Sequence, residues 1–145
     1  MQIAEPRSNR GFFRGAWSVQ GQEATCCARC ACLPGGGFLA CNAEDRAVSL
    51  PAFRLSAFGY SEAGWDYSYH GFSGSGSHCT LRGQVRDGVW RFHGQAEGRA
   101  PWRRWRATIV PMEQGFSFRE ETSDGAGPWR ESAALEYIRL ADGSR

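Results

Sequence analysis

Alternation with a period of two constrains this chain more than any other feature, and it is densest from Trp65 to Phe92, WDYSYHGFSGSGSHCTLRGQVRDGVWRF. Three short segments alternate here around two turns. Trp65, Tyr67 and Tyr69 share one face, opposed by Asp66, Ser68 and His70. Cys79, Leu81, Gly83 and Val85 oppose His78, Thr80, Arg82 and Gln84, and Trp90 and Phe92 oppose Arg91 and His93. One apolar face and one polar face at period two describe an antiparallel sheet packed on one side and wet on the other. The turns fall at glycine-rich Ser73–Gly76 and at Arg86-Asp87-Gly88. Asp-Gly between alternating segments signals a hairpin, because glycine accepts the positive φ of a primed turn.

The same grammar runs through the chain. Gly15 to Gln22 reads as the first strand, Glu23 to Leu33 as the second, and Pro34-Gly35-Gly36-Gly37 as a turn into a third from Phe38 to Asp45. Leu50 to Tyr60 is the fourth, with Phe53, Leu55, Ala57 and Gly59 on one face. Ser61-Glu62-Ala63-Gly64 leads into the three strands above, and Ala96 to Pro101 is a polar loop. Trp102 to Val110, Phe116 to Thr122 and Trp129 to Leu140 complete ten strands, joined by turns at Glu113-Gln114-Gly115 and Asp124–Pro128. Residues 1–10 are polar and read as frayed, and Gly11 to Gly15 as a short apolar plug forming one helical turn. Residues 11–140 make a single β-barrel domain, with a tail at 141–145. With no βαβ spacing and no long crossover, ten meandering strands close most simply into an up-and-down barrel, because closure removes exposed edges. Eight strands already leave room for one small ligand, so ten predict a cavity unless aromatic side chains fill it.

The chain has 145 residues and a formal charge of +2, too small to suggest nucleic acid as a partner. All seventeen of its basic residues are arginine. Composition bias accounts for this, with an arginine groove for phosphate or carboxylate as the functional alternative. No apolar run approaches the ~20 residues of a membrane span, so no membrane partner is expected. The first residues lack the hydrophobic stretch of an export signal, which predicts a cytoplasmic protein whose six cysteines are reduced.

Several segments together resemble a known family. GFFRGAW near the start, LPGGGFL (Leu33–Leu39), FGYSEAGWDYSYHGFSGSG, and WRATIVPMEQGFSFREETSDGAGPWRESAALEYIRL follow the order of motifs in a family of lipocalin-like bacterial proteins of unknown function. The resemblance covers about residues 11–140. It implies a calycin-type barrel around an internal pocket and brings no catalytic residues with it. A shortened N-terminal region and the cysteine cluster depart from that family's pattern.

Cys26, Cys27, Cys30, Cys32, Cys41 and Cys79 suggest zinc at first sight. Same-face neighbours on a strand lie roughly 6.6 Å apart, whereas two thiolates on one tetrahedral zinc sit only ~3.8 Å apart. The cysteines therefore read as small buried hydrophobes, with Cys32 able to meet Cys41 across the 34–37 turn. His70, His78 and His93 fall on the polar faces, so haem or metal binding is a lesser alternative, and no cofactor or metal is expected. GxSxG is absent, and the glycine-rich turn precedes no helix that would bind phosphate.

The remaining chemistry lies on the inferred inner face. Tyr67, Tyr69, Trp90, Phe92, Trp105, Phe118 and Tyr137 are expected to line one continuous interior. Arg103 shares a face with Trp105, Ala107 and Ile109; Glu120 with Phe116 and Phe118; Glu131 with Ala133, Leu135, Tyr137 and Arg139. A buried charge must be paired or hydrogen-bonded. Arg103, Glu120, Glu131 and Arg139 either form an ion-pair network at the barrel rim or, with Arg103, Glu120 and Arg139 as the handle, orient a ligand at a pocket mouth. The expected function is binding of a small apolar or aromatic molecule. The alternatives are an isomerase or cyclase acting on a small hydrophobic metabolite in the same pocket, and an aromatic-filled barrel acting through its outer surface. A homodimer is an admissible assembly.

Overall fold

A computed structural model of the protein describes residues 12–21, 25–35, 37–44, 55–61, 66–72, 78–95 and 103–140. Trp65, Phe53, Trp102, the Cys26 side chain, the turns at 61–64 and 73–76 beyond Ser61, the 96–101 loop, the frayed 1–10 segment and the 141–145 tail lie outside the described residues. The strands are β1 (Gly15–Gln20), β2 (Thr25–Cys32), β3 (Phe38–Glu44), β4 (Leu55–Ser61), β5 (Asp66–Phe72), β6 (His78–Arg86), β7 (Val89–Gln95), β8 (Arg103–Met112), β9 (Gly115–Asp124) and β10 (Arg130–Arg139). Each pairs antiparallel with its chain neighbour, and β1 pairs with β10, so the sheet closes as an up-and-down barrel. Among the described residues no helix is long and apolar enough to cross a membrane.

The alternation decides which residues face inward. On β5 Tyr67 and Tyr69 are buried, on β6 Cys79 and Leu81, on β7 Trp90 and Phe92, and on β9 Phe116, Phe118 and Glu120. His78 and His93 are exposed and His70 half-buried, on the outer face as their parity requires. At the β6–β7 turn Asp87 and Gly88 both take positive φ, 53° and 78°, the pair of left-handed residues that a type I′ hairpin needs. Gly83 faces the interior between Tyr67 and Phe92, where a Cβ would run into the carbonyl oxygen of Arg91. Strand β6 can bend so close to β7 only because that atom is missing.

On two strands plain alternation does not settle the facing. On β4 the inward residues are Ser56, Phe58 and Tyr60, and Leu55 stands exposed on the outer face. The strand carries apolar residues on both faces, Leu55 and Ala57 on one and Phe58 and Tyr60 on the other, and pairing of Phe58 with buried Tyr69 fixes the parity. On β10 the register shifts between Glu131 and Ala133, so Ser132 is an extra residue. This bulge turns Glu131 out of the Ala133–Leu135–Tyr137 face, and it pairs with Arg119 on the outside at 3.0 Å. At the start of the chain Phe12 and Phe13 form a turn, and Gly11, where the expected helical turn begins, lies outside the described residues.

The cysteines differ as well. Cys30 lies directly across from Cys41 and forms a disulfide with it, whereas Cys32 pairs with Leu39. The five residues between β2 and β3, closed by a Leu33 N–H bond to the Phe38 carbonyl at 2.8 Å, set the register two residues away from a Cys32–Cys41 match. The thiols are thus not all reduced. Cys27, Cys32 and Cys79 are free, and only Cys79 of these is buried.

Candidate functional site

The inner face divides into two halves with different packing. One end is filled by rings. Phe13, entirely buried, enters the barrel from the N-terminal turn and stacks on Phe58 at 4.9 Å, with Trp90 and Phe116 each at 5.1 Å. Trp17 packs edge-on against Phe116 at 4.8 Å, and Phe116 stacks on Tyr137 at 4.4 Å. The sequence motif GFFRGAW therefore does supply a plug, although as a turn. The Trp17 indole N–H donates to the Phe13 carbonyl at 2.9 Å, tying the plug to β1. Arg139 locks it from outside: its guanidinium donates to the carbonyls of Arg14 and Phe12, both at 2.8 Å, and lies 4.2 Å over the Trp17 ring. A planar fork with several fixed donors suits this double capture and stacking.

Beyond a middle layer of Phe58, Tyr69, Phe92 and Phe118, the character changes. Glu120 projects from β9 between Ala107 of β8 and Ala133 of β10. Ser56, Gly71 and Cys79 form a row with the Cys30–Cys41 bridge across the opposite strands. Small side chains thus wall this half. Glu120 is 2% exposed, and Glu120 and Ser123 are the buried polar side chains among the described residues. The Ser132 hydroxyl donates to Glu120 Oε1 at 2.8 Å. Among the described residues nothing donates to Oε2. The β10 bulge supplies that serine, because the extra residue turns Ser132 toward a site that strict alternation would have denied it.

Electrostatics link Glu120 to the far wall. Burial pushes its carboxyl up to about 7, and the Ser132 hydrogen bond only partly opposes this. Burial, then the Glu120 charge, raise the Cys79 thiol to about 12. Burial raises the Tyr69 phenol well above its ordinary value, and the charges of Glu120, Cys79 and Tyr137 add to the rise, against a hydrogen bond with Ser56. A carboxyl on β9 that perturbs groups on β5 and β6 aims across the interior, as does the 6.2 Å contact between the Tyr69 and Phe118 rings. An unsatisfied buried carboxyl oxygen beside aromatic and small apolar walls can anchor one polar group of an otherwise apolar molecule.

The sequence-expected residues are only partly united. Tyr67, Tyr69, Trp90, Phe92 and Phe118 are buried in one core, with Trp105 and Tyr137 half-buried against it. The proposed polar handle does not assemble. Arg103 begins β8 and Arg139 ends β10, and these strands run parallel, so the two arginines sit at opposite ends of the barrel. Arg103 is exposed and pairs with Asp124 at 3.2 Å. Glu120 alone of the three reaches the interior. Phe13, Trp17 and Phe58 are core residues that the inner-face assignment missed. Ser132 carried no signal, since a bulge breaks the very period used to assign faces.

Other features are accounted for locally. An open groove of about 550 Å³ lies on the outer face of β8–β10, where Glu121 accepts both Arg106 donors at 3.0 and 3.1 Å and Arg119 pairs with Glu131 at 3.0 Å. Trp129 lies under the Arg104 and Arg106 guanidinium groups, at 4.9 and 4.2 Å. His70 meets Ser68 at 3.0 Å and the Phe38 ring edge-on, and Phe72 stacks on His78. Among the described residues no three histidine, cysteine or acidic side chains converge as metal ligands do. No family model matches this chain, and no curated protein sequence matches it.

Proposed function

We propose that this protein binds a small apolar or aromatic molecule inside its barrel, in the half where small side chains surround Glu120. One observation carries the reading: a carboxyl oxygen, buried on the inner face, that accepts no hydrogen bond among the described residues. Such a group costs stability in an empty core and gains a partner when a ligand donor reaches it. Tyr69, Phe92, Phe118 and half-buried Trp105 supply flat apolar walls, with Tyr67, Trp90 and Tyr137 continuing them toward the plug. Arg103 and Arg139 enter this reading only as supports at the two rims. Kinship with lipocalin-like bacterial barrels belongs to the same proposal, supported by the closed antiparallel ten-strand architecture. So do a cytoplasmic location and a homodimer, although the Cys30–Cys41 bridge weighs against the cytoplasm, because disulfides persist in oxidising compartments.

Native mass spectrometry of the purified protein, followed by titration with a hydrophobic dye, tests the reading. Retained cargo, or stoichiometric dye uptake that Trp105→Ala alters, is the expected result. A protein that carries nothing and takes up no dye is a filled barrel.

The enzyme reading has one specific observation in its favour. A carboxyl raised to about 7 near a tyrosine hydroxyl suits proton transfer at neutral pH, as an isomerase or cyclase requires. Turnover of an enolisable hydrophobic ketone, lost in Glu120→Gln, would favour it over simple binding.

A further inference from the structure

Resting on the interior-binding reading, we infer that the Glu120 half selects an apolar molecule carrying a protonated amine, with the ammonium held against Oε2 and the hydrocarbon body among the aromatic rings of the middle layer. The chemistry follows from what surrounds the carboxyl. Glu120 is the one buried charged side chain among the described residues, and its Oε1 is already occupied by the Ser132 hydroxyl. The groups that face it from β5 and β6, Tyr69 and Cys79, are both held neutral through the physiological range, so neither offers a countercharge. On the neighbouring strands its direct partners are Ala107 and Ala133, which offer none either. The arginines of β8 and β9 are engaged elsewhere: Arg103 with Asp124, Arg104 with the Ser123 hydroxyl and the Trp129 ring, Arg106 with Glu121 and Arg119 with Glu131.

A buried carboxylate without a cation is unfavourable, and a ligand ammonium is the group that would correct it. Aromatic faces reinforce the choice. The Tyr69 and Phe118 rings approach to 6.2 Å, and Tyr69 and Phe92 to 5.7 Å, close to where the carboxyl enters. Ring faces attract cations and are indifferent to a neutral hydroxyl of the same size. A carboxylate ligand would meet like charge and no buried guanidinium. The class is therefore an arylalkylamine or a compact hydrophobic amine, rather than a fatty acid.

The test compares three probes with one hydrocarbon body by calorimetry near pH 8, where Glu120 is ionised and the amine still protonated: phenethylamine, phenethyl alcohol and phenylacetate. Phenethylamine is expected to bind at least about tenfold more tightly than the alcohol, with phenylacetate weakest. In Glu120→Gln that preference should fall to near unity while the alcohol binds as before. Equal affinity for amine and alcohol in the unaltered protein overturns the inference and needs no variant to do so. A preference that survives Glu120→Gln overturns the assignment to this carboxyl. These failures leave interior binding standing if the hydrophobic dye still enters, whereas a protein that takes up neither dye nor any probe loses both readings together.

Discussion

The two halves of the barrel interior are built by the same strands and obey the same alternation, yet they do opposite things. The plug end is dominated by aromatic rings that touch one another, and two of its polar groups are tied to backbone: the Trp17 N–H to the Phe13 carbonyl, the Arg139 guanidinium to those of Phe12 and Arg14. In the other half most inward positions beside Trp105 are small, namely Ala107, Ala133, Gly71, Ser56 and Cys79, and one of two carboxyl oxygens is unmatched. Dense ring packing is a stabilising arrangement, whereas a buried, half-satisfied acid is a destabilising one. The contrast separates the part that holds the barrel together from the part that is free to recognise something.

The largest effect should come from the plug. Phe13→Ala removes a fully buried ring packed on four others and should cost about 3–5 kcal/mol in denaturant unfolding, while leaving probe selectivity in the Glu120 half unchanged. A loss below about 1 kcal/mol would mean that the plug is not part of the core.

Next in size is a pH dependence confined to the other half. The Glu120 carboxyl stands at about 7 in the folded protein against 4.5 ordinarily, so the folded state binds its proton more tightly than the unfolded chain. Stability from this group is complete below the ordinary value and is lost as pH rises through the folded one, by roughly 3 kcal/mol between about pH 4 and pH 8. Glu120→Gln should flatten that slope and be the more stable protein at the upper end. Comparing the two proteins cancels groups that titrate in both, such as Glu121, lowered first by its Arg106 hydrogen bond, and His70, lowered by burial. Parallel stability curves would show that Glu120 is not buried as described.

Reduction of Cys30–Cys41, which closes a span of 11 residues between β2 and β3, should lower stability by roughly 2–3 kcal/mol, read as a shift in urea midpoint with and without reductant. Arg139→Lys should cost about 1–2 kcal/mol, since a single ammonium cannot hold two carbonyls and cover Trp17 at once. An outcome equal to the unaltered protein would remove Arg139 from the latch. Smallest of all, Glu131→Gln should change stability by less than about 1 kcal/mol, because its ion pair with Arg119 is exposed on both sides. A larger loss would return Glu131 to the interior and undo the bulge.

Face, in this chain, is a property of the sequence. A period of two places Tyr67, Tyr69, Trp90, Phe92, Phe118 and Glu120 on the inner surface without reference to any other strand, and Asp87-Gly88 dictates its own hairpin. Height along the barrel is not. Arg103 and Arg139 share the inward parity of their strands, yet they lie at opposite ends, because height depends on how all ten strands are staggered against one another. The same stagger gave Cys41 the partner Cys30 rather than Cys32, and on β4, apolar on both faces, pairing with β5 chose the inward one. The bulge at Ser132, one residue out of period, exchanged Glu131 for a serine beside Glu120. Local alternation is set by pleat geometry within a single strand, so residues alone determined it. Which inward side chains meet, and which carboxyl oxygen is left without a donor, was decided only when the sheet closed.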